Sequence, residues 1–504
     1  MKACIVLQNQ YAKLGHAIAL TLKEKYGVEK FCAYVISTGA EDFIKSQDDI
    51  KYDDILVDHK IHANYKNETI DLSYIKNFEK EHAPPHLWNY FYSDRKMMMS
   101  IGPKEETTPE IDPLYSHEDN LRIFQARAKA TEKMLKEQRP DFIFFFAFGT
   151  IGHQILYHTA KKMGIRVFNL DFPRIGNLIS ISEDYDTLTG VEEYANYYLQ
   201  NKIQNTEEHN RAKRFIKQFR ETGSLDLEYI ELDVSANSKQ ETLLKPKNIF
   251  RSINYLITLY KNYAKNKGIF LYGIIYINPL RFILFKLRHR YRKWRGLSHL
   301  FDKPAEEDYA FYPLHFDPEL ATLLLSPFYF DQIALIRQIA RALPLHFKLY
   351  VKEHPAMVYR RSLSFYKELK KIPNVKFIDH TIKSSELIKK SRLITTITGT
   401  VGWEASLLRK PVITFGNVFY NSLSFVKRIH DIEKLPELVN EQIEHYDYKE
   451  NEMENFVAAV FKDAVPFNFS GIWYEGDLQK IRQDKGLHLL CDKLMEKMHG
   501  KHQE

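Results

Sequence analysis

Short apolar runs alternate with stretches of helical periodicity over the first 200 residues of the chain. The run at 141–148 is apolar at every position after the first, which is typical of a strand buried on both faces of a parallel sheet. A polar, aromatic stretch around 86–94 is expected to be rich in loops. This alternation predicts a doubly wound α/β domain. The other elements predicted here are strands 3–7, 31–36, 54–58 and 166–170 and helices 13–26 and 121–138.

The alternation stops near residue 204, resumes after residue 305 and gives way to helical periodicity near the C-terminus. Two similar turns indicate that the chain contains two related halves. Gly149-Thr-Ile-Gly152 and Gly399-Thr-Val-Gly402 each follow an apolar strand and precede a predicted helix. We therefore predict an α/β protein with two Rossmann-like domains that face a cleft. The predicted boundaries are 1–204 for the first domain, 205–304 for a basic helical insertion, 305–450 for the second domain and 451–504 for helices that brace the first domain.

A length of 504 residues predicts more than one domain, and 44% hydrophobic with 27% charged residues is typical of a globular protein. The three cysteines, Cys4, Cys32 and Cys491, lack metal-ligand spacing and indicate reduced thiols in a cytosol. The apolar run at the N-terminus is short and polar residues follow at once, so it predicts a strand and not a signal peptide. Histidine spacing is not that of a metal site, and we expect neither a metal nor a cofactor.

The net charge of +7 resides in one segment, because residues 242–300 contain thirteen lysine or arginine residues and no aspartate or glutamate. Eleven aromatic residues lie in the same segment. Basic and aromatic residues together suit a helix in an anionic membrane interface, and we expect residues 243–296 to contact such a surface. The alternative is a solvated basic insertion that packs on its own domain. Nucleic acid is not expected, since no recognition module is visible. The uncharged run at 268–280 is too short to cross a bilayer.

One stretch of the second half combines strand, small-residue turn, helix and strand in the order that phosphate-binding sites use. Its turn contains Thr398, Gly399, Thr400 and Gly402, whose glycines would admit a ligand close to the backbone and whose hydroxyls would supply uncharged donors. Glu404 falls in the first turn of the following helix, where it could accept hydrogen bonds from ribose or simply cap the helix. The Walker lysine pattern is missing, so ATPase chemistry is not expected.

Residues at the ends of two neighbouring strands are further candidates for this predicted phosphate-binding site. The His354-Pro355 pair follows a predicted strand, and the proline fixes the backbone. A histidine there can donate to a phosphate oxygen or protonate a departing phosphate, or it can simply cap the loop. Lys352 ends the same strand. Another strand delivers His315 and Glu319 into a proline-bounded loop. We expect this loop to open on the same edge of the sheet, although it could also be a linker between domains.

A series of motifs in the second half carries a family pattern: Pro313-Leu-His315-Phe-Asp-Pro-Glu319, Tyr329-Phe-Asp-Gln332, Lys352-Glu-His354-Pro355, Pro373-Asn-Val375 and Thr398-Gly-Thr-Val-Gly-Trp-Glu404 with Lys410-Pro-Val. The series resembles the capsule polysaccharide biosynthesis proteins, glycosyltransferase-B-type enzymes related to bacterial Kdo transferases, over about residues 305–420. The resemblance implies a second domain that binds a nucleotide-sugar, with its phosphate held by His354, Thr398 and Thr400, and a first domain that binds the acceptor. Bacterial sialyltransferases have Ser-Ser or Ser-Thr where this chain has Thr-Gly-Thr, so the donor stays open.

The residue that attacks the sugar is expected in the first domain, after the strand at 166–170. A carboxylate that faces the anomeric carbon could deprotonate an acceptor hydroxyl or attack that carbon itself. Arg174 could bind an anionic sugar or phosphate, and His16, near the first strand-to-helix loop, is expected to face the cleft. The alternative for the acidic residues is a solvated turn. The candidate catalytic carboxylates are Asp171, Glu183, Asp184 and Asp186.

The resulting hypothesis is a metal-independent glycosyltransferase that moves a sugar from a nucleotide-sugar, such as a CMP-sugar, to a hydroxyl of a surface polysaccharide or lipid-linked glycan. We expect it in the cytoplasm, peripheral to the inner face of the cytoplasmic membrane. One alternative is a CDP-glycerol-type transferase or a sugar-nucleotide epimerase that uses the same nucleotide grip. The other is a non-catalytic partner in a membrane-associated polysaccharide assembly complex.

Overall fold

Two sheets of mainly parallel strands form the centres of two α/β domains. The computed structural model describes residues 1–8, 11–82, 86–101, 107–111, 115–225, 227, 249–266, 279–474 and 476–500. The strands are β1 (Lys2–Leu7), β2 (Lys30–Val35), β3 (Tyr52–Val57), β4 (Met99–Ile101), β5 (Thr107–Ile111), β6 (Phe142–Phe145), β7 (Arg166–Asp171), β8 (Leu178–Ser182), β9 (Tyr309–Pro313), β10 (Lys348–Lys352), β11 (Val375–Ile378), β12 (Leu393–Thr396), β13 (Val412–Thr414), β14 (Val426–Arg428) and β15 (Val465–Pro466).

Helices cover both faces of the two sheets and supply the rest of the core. In the described part of the chain the α-helices are Tyr11–Tyr26, Thr38–Lys45, Asp58–Ala63, Leu72–His82, Trp88–Ser93, Arg95–Met98, His117–Gln138, Ile151–Lys162, Thr189–Gln200, Glu207–Thr222, Ile249–Asn266, Pro279–Arg295, Leu320–Leu323, Gln332–Ala342, Leu363–Lys370, Ser384–Lys390, Thr400–Leu407, Leu435–Glu444, Glu450–Asp463, Phe469–Tyr474, Leu478–Arg482 and Lys485–Met498.

The first sheet has the strand order β15-β8-β7-β6-β1-β2-β3, and the second has β11-β10-β9-β12-β13-β14. In each domain the first three strands lie in reverse order and the next strand of the sheet returns beside the first, which is the Rossmann order. The second sheet is parallel throughout, whereas β8 runs antiparallel to β7 in the first. The predicted fold class, two Rossmann-like α/β domains, is therefore confirmed.

Continuous apolar runs build the central strands because both faces of each sheet are covered. In β1 every residue after Lys2 is buried, and all four residues of β6 and β12 are buried. Side chains on both faces of a strand therefore reach a core, which is why these strands lack polar alternation.

The C-terminal residues cross back from the second domain to the first. The helix Glu450–Asp463 packs against the helices Thr189–Gln200 and Glu207–Thr222. After it, β15 pairs antiparallel with β8 at the edge of the first sheet. The helices Leu478–Arg482 and Lys485–Met498 then pack on Tyr11–Tyr26. The chain therefore passes between the two domains twice, once from the first to the second and once back.

Two details differ from the sequence expectations. The stretch expected to be loop-rich forms the short helix Trp88–Ser93, because Tyr90 and Phe91 find buried positions against neighbouring helices. The C-terminal periodicity is divided into two helices, since Asp484 caps a new helix after Arg482. The uncharged run at 268–280 lies almost wholly outside the described residues. None of the described helices has the length and apolar character that crossing a membrane requires.

The two domains meet near the carboxyl ends of their strands. The side-chain amide of Asn417, just after β13, donates a hydrogen bond of 2.6 Å to the Asp186 carboxylate of the first domain. Arg174, after β7, lies close enough to Tyr420 of the second domain to lower the pKa of its phenol, although burial, the larger effect, raises that pKa. Loops that follow β7 and β13 therefore face each other across the domain boundary.

Candidate functional site

The crevice of the second domain opens between β9 and β12. The chain leaves β9 toward β10 on one side and leaves β12 toward β13 on the other, so these two central strands mark the point where the strand order reverses. Ligands of open α/β sheets bind outside the carboxyl ends of the strands at this point. The loop after β9 contains His315, and the turn after β12 contains Thr398 and Gly399.

His315 joins the two sides of this crevice. Its Nε2 lies 3.1 Å from the Thr396 hydroxyl and accepts a longer hydrogen bond of 3.4 Å from the Thr398 amide. An accepting Nε2 places the ring proton on Nδ1, which is buried and has no hydrogen-bond partner among the described residues. Burial, with His354 and Arg361 nearby, lowers the pKa of His315 to about 3. His315 is therefore neutral near pH 7.

A buried ionic network fixes the loops after β9 and β10 against each other. The Arg361 guanidinium, which is 1% exposed, donates to the Asp317 carboxylate at 2.7 Å and pairs with Glu353 at 3.2 Å. It also donates to the His315 carbonyl. Tyr366 adds a hydrogen bond of 2.7 Å to Glu353. One arginine thus holds both loops that carry the candidate histidines.

His354 is oriented by the backbone that follows it. Its Nδ1 accepts a hydrogen bond of 3.2 Å from the Ala356 amide, in a single turn of 3₁₀ helix that Pro355 begins. The ring proton must then sit on Nε2, which makes that nitrogen a donor. Burial, with the charges of Arg361 and Lys352, lowers the pKa of His354 to about 4. At neutral pH the side chain is a neutral hydrogen-bond donor at the end of β10.

The helix Thr400–Leu407 begins without a side-chain cap, because its N-cap residue is Gly399. The Thr398 hydroxyl donates to the Ala321 carbonyl at 3.1 Å, so it is engaged within the domain. The Thr396 hydroxyl accepts from the Gly399 amide at 3.1 Å. The Gly402 amide donates to the Gly399 carbonyl at 3.0 Å, so the Thr400 and Val401 amides and the Thr400 hydroxyl are the donors that could meet an anion at this helix N-terminus.

The glycines of this turn make room for side chains. A Cβ atom at Gly399 would lie 2.8 Å from the Thr396 hydroxyl and 3.2 Å from His315 Nε2. A Cβ at Gly402 would lie 2.4 Å from the Tyr420 hydroxyl, which donates to the Gly399 carbonyl at 2.6 Å. Close packing of protein groups therefore explains both glycines, where the sequence suggested space for a ligand.

Lys352 and Glu404 form a second pair of titratable groups beside the turn. Lys352 is buried and donates to the Ser384 hydroxyl at 2.9 Å, and burial lowers its pKa. Burial raises the pKa of Glu404 from its ordinary value to about 7, while the charge of Lys352 opposes this shift. Glu404 can therefore both donate and accept a hydrogen bond near neutral pH.

On the opposite side of the domain boundary, three predicted residues lie together. Asp171 ends β7 and accepts a hydrogen bond of 2.7 Å from the Phe172 amide. Burial raises the pKa of Asp171 to about 6, Arg174 lowers it, and Asp186 raises it further. Asp186 in turn accepts from Asn417 of the second domain. A carboxyl that titrates near neutral pH thus lies where the two domains meet.

Four predicted residues do not join the group of Asp171, Arg174 and Asp186. Glu183 pairs with Arg166, and Asp184 accepts from Tyr157 at 2.7 Å and pairs with Lys161, on the outer side of the helix Ile151–Lys162. His16 is buried inside the first domain, where Asp49 lies 2.8 Å and Tyr52 3.1 Å from its ring nitrogens. Glu319 is exposed at the start of the helix Leu320–Leu323.

The related turn of the first domain is closed by its own side chains. The Asp94 carboxylate accepts from the Ile151 amide at 3.0 Å, and the Thr150 hydroxyl accepts from the His153 amide at 3.2 Å. A Cβ at Gly152 would lie 2.2 Å from the Tyr34 hydroxyl. The two turns therefore share a tyrosine packed against a glycine, but the second domain alone leaves its helix end uncapped by a side chain.

Sequence reasoning missed Arg361, Tyr420 and Asn417. Arg361 and Tyr420 stand several residues beyond the nearest strand, and the partners of all three residues lie at a distance in the sequence. Arg361 is 44 residues from Asp317, and Asn417 is 231 residues from Asp186. The adjacent Arg360 and Arg361, soon after His354-Pro355, were the one signal available for the network.

Residues 329–431 match the family model described as capsule polysaccharide biosynthesis protein. The family resemblance predicted from the sequence is confirmed over this segment, which includes His354 and the turn at 398–404. The chain is also 42% identical over 85 residues to Protein FixF of Sinorhizobium fredii (strain NBRC 101917 / NGR234). That alignment covers 17% of this chain and 20% of the relative, so the chain spans about one fifth of the length of the relative that it matches.

Among solved structures, the chain is similar to KpsC of Thermosulfurimonas dismutans, beta Kdo 2,7 transferase, with 11% identity and a TM-score of 0.36 over 73% of this chain and 89% of that one. It is also similar to UDP-GlcNAc 2-epimerase of Neisseria meningitidis bound to UDP-GlcNAc, with 14% identity and a TM-score of 0.27 over 92% of this chain and 99% of that one. Scores of this size carry neither an activity nor a substrate over to this chain.

Proposed function

We propose that the protein is a glycosyltransferase whose second domain binds a nucleotide-sugar and whose first domain presents the acceptor. The observation that carries the proposal is the contrast between the two related turns. Asp94 and Thr150 close the helix end of the first domain, whereas the helix Thr400–Leu407 begins with Gly399 and has no side-chain cap. The open end lies in the segment that matches the capsule polysaccharide family.

The donors at this edge support the proposed phosphate binding. The amides at the start of the helix carry the positive end of the helix dipole, which favours an anion there. His354 adds a neutral Nε2 donor from β10, and the Thr400 hydroxyl adds another. Glu404 would contact the ribose hydroxyls. These groups would offset the charge of the leaving phosphate without a metal ion, and we expect turnover to persist in the presence of EDTA.

Asp171 is our candidate for the residue that acts on the sugar or the acceptor. It lies at the carboxyl end of β7, on the side of the domain boundary that faces the second domain, and its pKa is about 6. A carboxyl with that pKa is largely ionised at pH 7 and can still accept a proton from an acceptor hydroxyl, or attack the anomeric carbon. Arg174 would hold an anionic sugar close by.

The proposed acceptor is a hydroxyl of a surface polysaccharide or lipid-linked glycan, and we place the reaction in the cytoplasm. Among the nucleotide-sugars that the motif resemblance to the capsule polysaccharide biosynthesis family suggests, a CMP-sugar is the first donor to examine. The test supplies the purified protein with CMP-, UDP- and GDP-sugars and CDP-glycerol, each with glycan acceptors, and follows products by mass spectrometry. A sugar joined to the acceptor with release of free nucleotide supports the proposal. An isomerised donor without acceptor would indicate an epimerase, a glycerol phosphate adduct would indicate a CDP-glycerol transferase, and no product would indicate a non-catalytic partner.

A further inference from the structure

The two basic helices of the insertion, Ile249–Asn266 and Pro279–Arg295, contact each other and present apolar side chains to solvent. In Pro279–Arg295 the exposed apolar residues recur at helical spacing and form one stripe, with Trp294 81% and Leu287 58% exposed. The stripe consists of Leu284, Leu287, Tyr291 and Trp294. In the other helix, Ile253, Ile257 and Tyr260 are exposed with the same spacing.

The opposite face of Pro279–Arg295 is attached to the second domain. Arg292 donates to the backbone carbonyls of Tyr359 and Arg360 at 3.0 and 2.6 Å. The His289 ring lies edge-on to the Tyr359 ring, with 6.4 Å between their centroids. At 3.6 residues per turn, His289 and Arg292 lie roughly 150° around the helix axis from the apolar stripe. The attachment therefore holds the stripe outward, away from the domain.

Basic residues border the stripe on both sides. Arg288 and Arg295 flank one side and Arg290 the other, and all three are exposed. Across residues 242–300 the sequence has thirteen basic residues and no acidic one. Packing two copies of this surface together would therefore bring like charges into contact. An apolar stripe with arginines on both sides and a tryptophan at its end suits the boundary between lipid headgroups and acyl chains.

We infer that the helices Ile249–Asn266 and Pro279–Arg295 form a docking surface for an anionic lipid bilayer, on which the apolar stripe enters the interface and the arginines contact lipid phosphates. Each basic residue near such a surface strengthens binding roughly fivefold. Binding needs both parts, because a few apolar side chains or a few charges alone give weak attachment. The inference stands independently of the proposed function.

The test is flotation of the full-length protein with vesicles of phosphatidylcholine alone or mixed with phosphatidylglycerol. We expect the wild type to float only with the mixed vesicles. R288E/R290E/R295E and L287E/W294E should each reduce the bound fraction by roughly a hundredfold. The matched control K30E/K51E/K66E reverses three exposed charges on the first domain and should float like the wild type. Phosphate buffer should release no more protein than chloride at equal ionic strength.

Other outcomes would overturn the inference. If the control and the arginine variant float equally, and both float less than the wild type, binding depends on net charge alone. Flotation with phosphatidylcholine alone, or no flotation at all, would exclude an anionic lipid surface. Loss of a dimer in L287E/W294E, measured by light scattering without vesicles, would assign the stripe to a second copy of the chain. Turnover with soluble substrates should be unchanged in every variant, which separates this test from that of the proposed function.

Discussion

Two histidines at the carboxyl edge of the second sheet are held in opposite tautomers. His315 accepts at Nε2 from the Thr398 amide, whereas His354 accepts at Nδ1 from the Ala356 amide. Burial lowers both pKa values, to about 3 and about 4, so both rings are neutral near pH 7. His354 therefore presents a directed N–H donor at Nε2 rather than a positive charge.

Asp171 gives the reaction its predicted pH dependence. Its pKa of about 6 is raised by burial, and the base must be deprotonated to act, so turnover should fall as the pH drops through 6 and level off above 7. D171N should lower turnover by about a hundredfold or more without weakening donor binding. D184N is the control, because Asp184 already pairs with Lys161 and Tyr157. Equal loss in both variants, or a D171N enzyme with wild-type turnover, would remove Asp171 from the mechanism.

At the scale of single elements, the helix Thr400–Leu407 is positioned by contacts that its glycines permit. Tyr420 fills the space beside Gly402 and holds the Gly399 carbonyl, while His315 fills the space beside Gly399. The sequence predicted the strand, the turn and the helix correctly, because an apolar run, a small-residue turn and a short link to the next apolar run are all local patterns. It could not predict that the glycines serve packing, because Tyr420 reaches them only after β13 has placed the next turn.

The Gly402 packing leads to a stability prediction. A Cβ at Gly402 would lie 2.4 Å from the Tyr420 hydroxyl and 2.8 Å from its ring carbon, so G402A should lower the free energy of unfolding by about 1–3 kcal/mol. G39A is the matched control, since no atom lies within 4 Å of a Cβ there, and it should be neutral or slightly stabilising. Urea denaturation measures both. A G402A protein as stable as G39A would contradict the packing described here.

Arg361 connects the loop after β9, which contains His315, to the loop after β10, which contains His354. Replacing it with methionine leaves the buried Asp317 and Glu353 carboxylates without their counter-charge, and we expect a loss of about 3–5 kcal/mol in the free energy of unfolding. The triple variant R361M/D317N/E353Q removes the charges as well and should recover part of that loss. If urea denaturation gives R361M and the wild type the same stability, the network does not hold the loops.

At the scale of the whole molecule, the carboxyl ends of the two sheets face each other, so a donor held by the second domain can meet a residue of the first. The paired α/β domains were predicted, since each parallel strand and its crossover helix leave local patterns, whereas the order of the strands within each sheet was not. The cross-domain contact between Asp186 and Asn417 was not, because 231 residues separate them and only the folded chain brings them to 2.6 Å. The same limit applies to Arg361, whose partners lie in separate loops.

The Asn417 contact leads to a prediction about domain geometry. N417D places a carboxylate where an amide now donates to Asp186, so the like charges should push the domains apart. We expect a larger radius of gyration by small-angle X-ray scattering and roughly tenfold lower turnover, with nucleotide affinity unchanged. N201D, which adds the same charge on the exposed surface of the first domain, is the control. An N417D protein with the dimensions and turnover of the wild type would show that this contact does not set the domain geometry.

The most direct test of the central claim, that the second domain holds a nucleotide phosphate beside His354, is calorimetric titration with CMP, CDP, UDP, GDP and ADP. Two substitutions separate the nitrogens of the ring: H354Q keeps a donor near the Nε2 position, and H354N keeps an acceptor near Nδ1 for Ala356. We predict that one nucleotide binds the wild type and H354Q alike, and that H354N folds normally but binds about tenfold or more weakly. If H354N binds that nucleotide as tightly as the wild type, or if none of the five binds, the phosphate site is not at His354.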